Sequence, residues 1–480
     1  MKTQTGDRLS SAVVWKFLER SSVQILNLVL QIVLARLIAP AQFGNLAIIL
    51  VFFNIADIFV QRGFGSSIVR AKDVSEEDIN SVLFVSSIIS ILLIIVINVC
   101  APFIGDFYDS TSIVNPLRLL SLNLIASPLY CVLNALYIKQ MRFKGLFVRG
   151  FISTFIAGVV GIWMAFLGLG IWALVSQILV HQFLLVAGML IGSKVRFSFK
   201  ISKDAFSRIF SFGKNVLATE LLFTLVENLR TLLIGKKYTE SDLAYYDRGQ
   251  VYPSTLMRAL YDTLFSILLP HFSKYQDDNE RLKKECISST YIAMIFITPI
   301  FLGLASVSEE VIVFLLTDLW IAAVPYMVIF CIYQSIFPYQ IVSKAFFYSI
   351  GKSRTVLNIE IFSSLLSLAL MIISISFGIM WIAISLIVVR LVSAILYICF
   401  MSKSIGSMKS LTITWKPLLA GSVMFAVVYF IEFNIQNVGI ELLLNILVGI
   451  VVYIFSMFVL DRKLFVNLRE MLKLRALNRK

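Results

Sequence analysis

Positive charges are almost absent from every second connector between the apolar stretches of this chain, and no other feature constrains its architecture as strongly. Fourteen apolar stretches can be marked along the 480 residues. Of the 42 Lys and Arg, 31 lie in the two tails and in alternate connectors, whereas the intervening connectors contain only Lys236 and Lys237. Because cytoplasmic loops of membrane proteins collect Lys and Arg, the pattern predicts fourteen membrane crossings with both ends in the cytoplasm.

The apolar stretches have the length and composition of membrane-spanning helices. Apolar residues make up 59% of the chain, and the mean hydropathy of +0.89 lies outside the soluble globular range. A helix needs about 20 apolar residues to cross a bilayer, and the strict alternation of barrel strands is absent. We therefore predict an all-α polytopic membrane protein, whose net charge of +14 reflects topology and requires no nucleic acid. The predicted spans are 11–37, 43–61, 81–104, 116–138, 149–168, 170–192, 209–234, 243–270, 285–305, 321–343, 355–377, 379–400, 416–433 and 438–460.

The chain is predicted to contain two copies of a six-helix unit. The segment LARLIAPAQFGNLAI around Gly44 corresponds to LLIGKKYTESDLAYY around Ala244, and six spans separate the two. An even number of spans gives both copies the same orientation, as in transporters that are built from parallel repeats. We predict one bundle at residues 1–205, a second at 206–402, and two extra spans with a basic cytoplasmic tail at 403–480.

Nine Lys and Arg lie inside the predicted spans, apart from Arg149 and Lys416, which are the first residues of their spans and are counted with the connectors. Arg36 and Arg118 are near span ends, where long side chains can reach the interface. An Arg at mid-membrane costs about 2.5–3.5 kcal/mol on insertion scales, so the other seven are expected to face protein or water. We predict that these seven line a central cationic cleft between the bundles and bind an anionic substrate: Lys16, Arg20, Lys214, Arg230, Arg248, Arg258 and Arg390.

Helical spacing gathers polar residues on single faces of the first two spans of each copy. Asn54, Asp57 and Gln61 share a face of the second span, and Arg258 precedes Asp262 by one turn in the eighth. Arginine is well matched to phosphate. For any one residue, structural pairing between a cation and a carboxylate is the open alternative.

Carboxylates in such a cleft also suit coupling of transport to H⁺ or Na⁺. The candidates are Glu19, Asp57, Glu220, Glu227 and Asp262. No enzymatic cofactor is expected, and neither His181 nor His271 belongs to a spacing of metal ligands.

Several segments resemble the polysaccharide-transporter branch of the multidrug/oligosaccharidyl-lipid/polysaccharide (MOP) flippase superfamily, and most of all its colanic-acid and teichuronic-acid exporter type, the Wzx flippases. They are LARLIAPAQFG, RGFGSSIVRAKDVSEEDINSV, YIKQMRFKG, GIWALVSQ, NLRTLLIG and DLWIAAVPYM. The resemblance extends over about residues 10–400 and follows the family's order of segments. The resemblance implies a V-shaped pair of six-helix bundles that works by alternating access. It also implies an undecaprenyl-pyrophosphate-linked oligosaccharide as substrate, moved to the outer leaflet of the bacterial cytoplasmic membrane, with polysaccharide polymerase machinery as a possible partner.

The chain departs from the family pattern at two places. Relatives commonly read Arg-Asn-x-Asp before LIG, whereas this chain has Glu227, Asn228, Leu229 and Arg230. The exchanged charges keep an i,i+3 pair, but no family role transfers to either residue. Relatives also often carry Gly at the position of Ala244.

Two alternative functions remain open from the sequence. Export of small cationic drugs occurs within the superfamily, although a cationic cleft would repel such molecules. A membrane polymerase or ligase acting on the same lipid-linked sugars would need catalytic groups on a substantial outward loop. The longest such loop, 306–320, contains Glu309, Glu310 and Asp318 but no Lys, Arg or His.

Overall fold

The computed structural model describes residues 22–70, 75–193, 409–431 and 437–462, together with 217–407 except 218–219, 222–223 and 226–227. Every regular element within these ranges is helical, as the predicted all-α class requires. Eleven helices are long and apolar enough to cross a membrane. The protein is therefore a multi-pass membrane protein.

The helices fall into two compact units, residues 1–244 and 245–480. The first unit contains α1 (Ser22–Leu37), α2 (Pro40–Arg70), α3 (Glu76–Phe107), α4 (Val114–Ser121), α5 (Asn123–Lys139), α6 (Phe143–Phe166), α7 (Ile171–Ile191) and α8 (228–237). Helix α9 (Glu240–Ser273) begins in the first unit and continues in the second. The second unit then contains α10 (Asn279–Ser306), α11 (Ser308–Leu316), α12 (Val324–Ser335), α13 (Pro338–Ser349), α14 (Ser353–Ser374), α15 (Ile379–Ile405), α16 (Trp415–Phe430) and α17 (Val438–Leu460).

Eleven of the fourteen predicted spans coincide with these apolar helices. The described part of the first span is the shorter helix α1, and the seventh span lies partly outside the described residues. The eighth predicted span is the 34-residue α9, which carries too many charges to count by apolar composition alone. The number fourteen therefore remains a prediction.

Local sequence signals set several helix starts. Ser75 caps α3 by accepting from the Asp78 backbone N–H, and the Asp78 carboxylate accepts from the Ser75 N–H. Asp278 and Asn437 cap α10 and α17 in the same manner. Such caps satisfy backbone donors that a helix start leaves unpaired.

Two spans are broken in the same way. The fourth consists of a short 3-10 helix (Thr111–Ile113) followed by α4 and α5, and the tenth consists of one (Asp318–Ala323) followed by α12 and α13. In the tenth, prolines at the starts of α12 and α13 suit these breaks, since proline is tolerated in a first turn. Each broken span lies within one unit.

Packing within each unit surrounds these spans. In the first unit, α5 packs against α2, α3 and α7, and Cys131, Val132 and Leu136 are buried there. In the second, α10 packs against α12, α13 and α16, and Met424 is buried with Met457 of α17. Large apolar side chains are exposed along α3, α6, α14 and α17, as faces that contact lipid require.

Candidate functional site

A hydrogen-bonded polar centre joins α2 to α5 in the first unit. Gln61 Nε2 lies 2.7 and 2.6 Å from the two oxygens of the Asp57 carboxylate, one helical turn away. Ser127 Oγ of α5 donates to Asp57 Oδ1 at 2.7 Å, and Cys131 Sγ lies 3.4 Å from the Gln61 carbonyl oxygen. The shared face predicted for Asp57 and Gln61 thus holds a carboxylate within an apolar helix.

At the opposite end of α2, the turn between α8 and α9 packs on α2 and α3. The buried Tyr108 hydroxyl lies 3.4 Å from the Leu232 carbonyl oxygen, and burial raises the pKa of Tyr108 to about 12. Lys236 Nζ lies 2.8 Å from Asp109 Oδ2 and 5.0 Å from the Phe107 ring centre. Because the Lys236–Asp109 pair is exposed, it contributes only about 0–1 kcal/mol.

Close backbone approach, rather than the ion pair, determines how this turn fits. A Cβ at Gly44 in the first turns of α2 would lie 1.8 Å from the Glu240 carbonyl oxygen. A Cβ at Gly235 would lie 2.9 Å from Ile48 Cδ1. Backbone oxygens cannot rotate away as side chains can, so the position of Gly44 requires glycine for this packing.

The second unit contains a buried arginine centre. Arg390 of α15 is 9% exposed, and its guanidinium carbon lies 3.8 Å from the ring centre of Tyr333 and 4.2 Å from that of Phe337. Its Nη1 donates to Gln340 Oε1 of α13. Tyr261 of α9 stacks on Phe337 at 5.7 Å between ring centres. Aromatic faces and an amide oxygen thus take the place of water around this charge.

A second polar network joins α13 and α15, which also carry the Arg390 centre, to α14. Lys344 Nζ of α13 lies 3.0 Å from Glu360 Oε1 of α14, and Tyr397 of α15 donates to the same oxygen at 2.7 Å. The Lys344 side chain is largely buried. A half-buried carboxylate with both a cation and a hydroxyl donor satisfies the requirement that intramembrane charges be paired.

Two predicted cations on α9 have different surroundings. Arg248 is 6% exposed, and its guanidinium carbon lies 5.9 Å from the Trp320 ring centre. Arg258 is exposed, and it has no hydrogen bond or ion pair with any residue in the described part of the chain. Thr263 and Ser266, on the following turns, are exposed as well. Leu256 and Ile267 of α9 are exposed too, so Arg258 lies on an exposed stretch of α9 that carries both polar and apolar side chains.

The structure describes three of the other eight predicted site residues. Arg230, Glu220 and Asp262 are half-buried, and each has an interaction with another residue. Lys16, Glu19, Arg20, Lys214 and Glu227 lie outside the described residues. The central cleft that would unite all of these residues remains a prediction.

Sequence reasoning missed Lys344, Glu360 and Ser127. Glu360 is the sole acidic residue of the eleventh predicted span, and that signal would have revealed it. Lys344 falls one residue beyond the predicted end of the tenth span. Ser127 carries no sequence signal that separates it from the other serines of the apolar helices.

Comparison with known proteins assigns the family. Residues 33–325 match the family model described as polysaccharide biosynthesis protein. The succinoglycan biosynthesis transport protein ExoT of Rhizobium meliloti (strain 1021) is 22% identical over 98% of this chain and 97% of its own length. The lipopolysaccharide biosynthesis protein WzxC of Escherichia coli (strain K12) is 24% identical over 68% of this chain and 67% of its own.

Solved structures agree on the fold. The lipid II flippase MurJ, in an inward closed conformation, superposes with a TM-score of 0.74 at 15% identity and covers 94% of this chain and 100% of its own. An inward-facing multidrug resistance MATE transporter of the MOP superfamily superposes with a TM-score of 0.57 at 16% identity, covering 81% of this chain and 95% of its own. The chain is thus a multi-pass membrane protein with the MOP superfamily fold, and it belongs to the polysaccharide biosynthesis protein family.

Proposed function

We propose that this protein is a flippase that moves an undecaprenyl-pyrophosphate-linked oligosaccharide repeat unit from the cytoplasmic to the outer leaflet. It works by alternating access in cell-surface polysaccharide biosynthesis, as a secondary-type transporter and not as an enzyme. The bacterial cytoplasmic membrane holds it, with both termini in the cytoplasm. The names of ExoT, WzxC and MurJ, which refer to polysaccharide transport, lipopolysaccharide synthesis and lipid II flipping, support this proposal.

The exposed Arg258 carries the proposal. An arginine facing lipid at mid-membrane would cost several kcal/mol, so the exposure of Arg258 is better explained by an aqueous path. Arg258 is exposed and has no partner among the described residues, which leaves its five N–H donors available to a pyrophosphate. The other proposed members of this path are Lys16, Arg20, Lys214, Arg230, Arg248 and Arg390.

Arg390 and Arg248 contribute differently from Arg258 in this proposal. Both are buried against aromatic rings, so neither guanidinium is open to a bulky head group in this conformation. They raise the positive potential along the path and position α9 and α15. Arg258 makes the direct contact.

Backbone features support the proposed parallel repeat. Residues with positive φ occur at Asp109, Met141 and Gly170, and again at Thr317, Gly351 and Gly378. Asp109 corresponds to Thr317, Met141 to Gly351, and Gly170 to Gly378. The two residues of each pair lie six predicted spans apart, in or beside connectors on the same predicted side of the membrane. We retain bundles 1–205 and 206–402, followed by 403–480, as the repeat plan, although the first compact unit extends to Ala244.

We also propose that the packing of the α8–α9 turn on α2 and α3 closes the outer side of the path. In a chain whose native cysteines are replaced by serine, Asp109→Cys with Lys236→Cys places two thiols where an ion pair now forms. A flexible bifunctional thiol reagent is expected to stop export, and a reductant is expected to restore it. Each single cysteine variant is the control. Undiminished export by the cross-linked protein would rule out this gate.

Coupling to H⁺ or Na⁺ is proposed to involve Asp57 or Glu220. Asp57→Asn keeps the hydrogen bonds from Gln61 and Ser127 in part but removes the charge that a proton or Na⁺ would neutralise. We expect transport by Asp57→Asn or Glu220→Gln to lose its dependence on the ion gradient. Transport rates in proteoliposomes with imposed pH and Na⁺ gradients measure this, and normal ion dependence in both variants would exclude both residues.

The proposed function is tested with purified protein in proteoliposomes that contain a fluorescent undecaprenyl-pyrophosphate oligosaccharide. We expect protein-dependent movement between leaflets, scored by accessibility to an external quencher. Lengthening of the sugar chain without movement would favour the polymerase or ligase. Transport of small cationic drugs without movement of the lipid would favour the multidrug exporter.

A further inference from the structure

The second unit contains a half-open cavity that the proposed path does not use. Its volume is about 1150 Å³, and it lies between α11, the Asp318–Ala323 helix, the starts of α12 and α17 and the end of α16. The loops around it, including 306–320, belong to the predicted outer side. The cavity is therefore placed near the outer surface of the membrane in the proposed topology.

All charged side chains that line the cavity are acidic. They are Glu309, Glu310, Asp318 and Glu441, and none of them forms an ion pair with any residue in the described ranges. The Glu310 carboxyl is held in an environment that opposes its charge, because burial raises its pKa and Glu441 and Glu309 add repulsion. Glu310 and Glu441 are half-buried, whereas Glu309 and Asp318 are exposed. Like charges this close repel one another, so the cavity suits a cation that the protein itself does not supply.

A buried amide fixes Glu310 at the wall. Asn445 of α17 is only 2% exposed, and its Nδ2 donates to Glu310 Oε1 at 2.7 Å. The Asn445 Oδ1 atom is buried and has no hydrogen-bond partner. An amide held this way directs a carboxylate oxygen towards one position instead of leaving it to rotate in solvent, which is a feature of a built site and not of a solvated acidic surface.

Aromatic and aliphatic side chains form the rest of the lining. Phe425 stacks on Tyr429 with 5.6 Å between ring centres, and Phe430 meets Tyr429 edge-on at 5.5 Å. Val328, Ile329 and Met380 line the cavity as well. Aromatic faces attract organic ammonium groups, and combining such faces with carboxylates is a recurrent way to bind them. Aliphatic side chains suit the hydrocarbon that carries the ammonium.

We propose that this cavity binds an ammonium group carried on an apolar chain. A divalent metal fits less well, because among the described residues no group of three or more His, Cys, Asp or Glu is arranged to hold one. Two sources share the ammonium chemistry: an amine-bearing phospholipid and a soluble amine. The site is separate from the Arg258 face, so export of the lipid-linked sugar can fail without affecting this binding.

The test uses the purified full-length protein in detergent, with hexylammonium as the probe. Hexylammonium is expected to raise the thermal midpoint Tm of the wild type with increasing concentration, since a ligand that binds the folded state stabilises it. The combined variant Glu310→Gln with Glu441→Gln is expected to bind at least tenfold more weakly. Glu280→Gln, an exposed acid at the start of α10, is the matched control and should behave as wild type.

Two control ligands test whether the cavity recognises the positive charge of hexylammonium. Hexanol has the same chain without the ammonium, and an equal rise in Tm with hexanol would overturn the proposal. A larger rise with Ca²⁺, lost in the same variant, would overturn it in favour of a metal. If the double variant does not fold, Asp318→Asn, which changes an exposed side chain, is tested instead; unchanged hexylammonium binding in Asp318→Asn and in Glu441→Gln would contradict the proposal.

Two further experiments distinguish an amine-bearing phospholipid from a soluble amine as the source of the ammonium group. Retention of phosphatidylethanolamine over phosphatidylglycerol in native mass spectrometry, by the wild type but not by the Glu441→Gln variant, supports a lipid. A rise in Tm with ethanolamine or glucosamine equal to that with hexylammonium supports a soluble amine. Absence of binding to every amine, with the protein folded, would refute the site.

Discussion

Replacing Gly44 by alanine is expected to keep the turn between α8 and α9 from packing on α2 and to reduce export at least tenfold. The added Cβ would lie 1.8 Å from the Glu240 carbonyl oxygen and 2.5 Å from its carbonyl carbon, so the two backbones must separate. Atoms at such distances overlap far inside van der Waals contact. The exposed Lys236–Asp109 pair, at about 0–1 kcal/mol, cannot offset that repulsion.

The measurement is thiol labelling from the outer side in a Lys236→Cys background, together with export. Labelling is expected to become faster in the Gly44→Ala protein, because the turn no longer packs against α3. Gly150→Ala is the matched control: its Cβ would meet only Val23 Cγ2 at 3.6 Å, and such a change in a helix stabilises by about 0.4–1 kcal/mol. Unchanged labelling and export in Gly44→Ala would contradict the proposed closure of the outer side.

Replacing Arg390 by alanine is expected to destabilise the second unit by about 2–5 kcal/mol and to abolish export, while the protein still inserts. The change empties the space between Tyr333 and Phe337 and leaves Gln340 Oε1 without its donor. Arg390→Lys retains the charge but loses the planar group that stacks on both rings. We expect an intermediate Tm and little recovery of export.

Arg258→Ala is the matched control for stability. Arg258 is exposed and has no hydrogen bond or ion pair among the described residues. Its replacement should therefore change the free energy of unfolding by no more than about 0.5 kcal/mol. Thermal unfolding of the purified variants separates the two arginines. A stable Arg390→Ala protein, or an unstable Arg258→Ala protein, would contradict the assignment of a stabilising role to Arg390 and a substrate contact to Arg258.

The sequence predicted the class of fold well because the bilayer imposes strong rules. Apolar length and the Lys/Arg alternation located the spans, and eleven of them are helices of the expected kind. The breaks at Leu122 and between α12 and α13 were not predicted, since apolar composition continues through them. The stretch 243–270 was marked as apolar, although α9, which contains it, carries too many charges to count by apolar composition alone.

Site residues were harder to predict because a charged residue inside a span can either bind substrate or pair with another residue of the protein. The sequence placed Arg258 and Arg390 in one set of cations. In the structure Arg258 is exposed, whereas Arg390 is buried against aromatic rings. Their difference depends on Tyr333, Phe337 and Gln340, which approach Arg390 from α12, α13 and the break between them. Helical periodicity describes one helix at a time and contains no such information.

The most direct test of the central claim compares two lipids in proteoliposomes that differ only in the linkage between the polyprenyl chain and the same glycan. One carries a pyrophosphate, and the other carries a neutral linkage. If cations on the path recognise the anionic head group, the wild type moves the pyrophosphate lipid at least tenfold faster, and Arg258→Ala removes most of that preference. Equal movement of both lipids by the wild type would contradict the account.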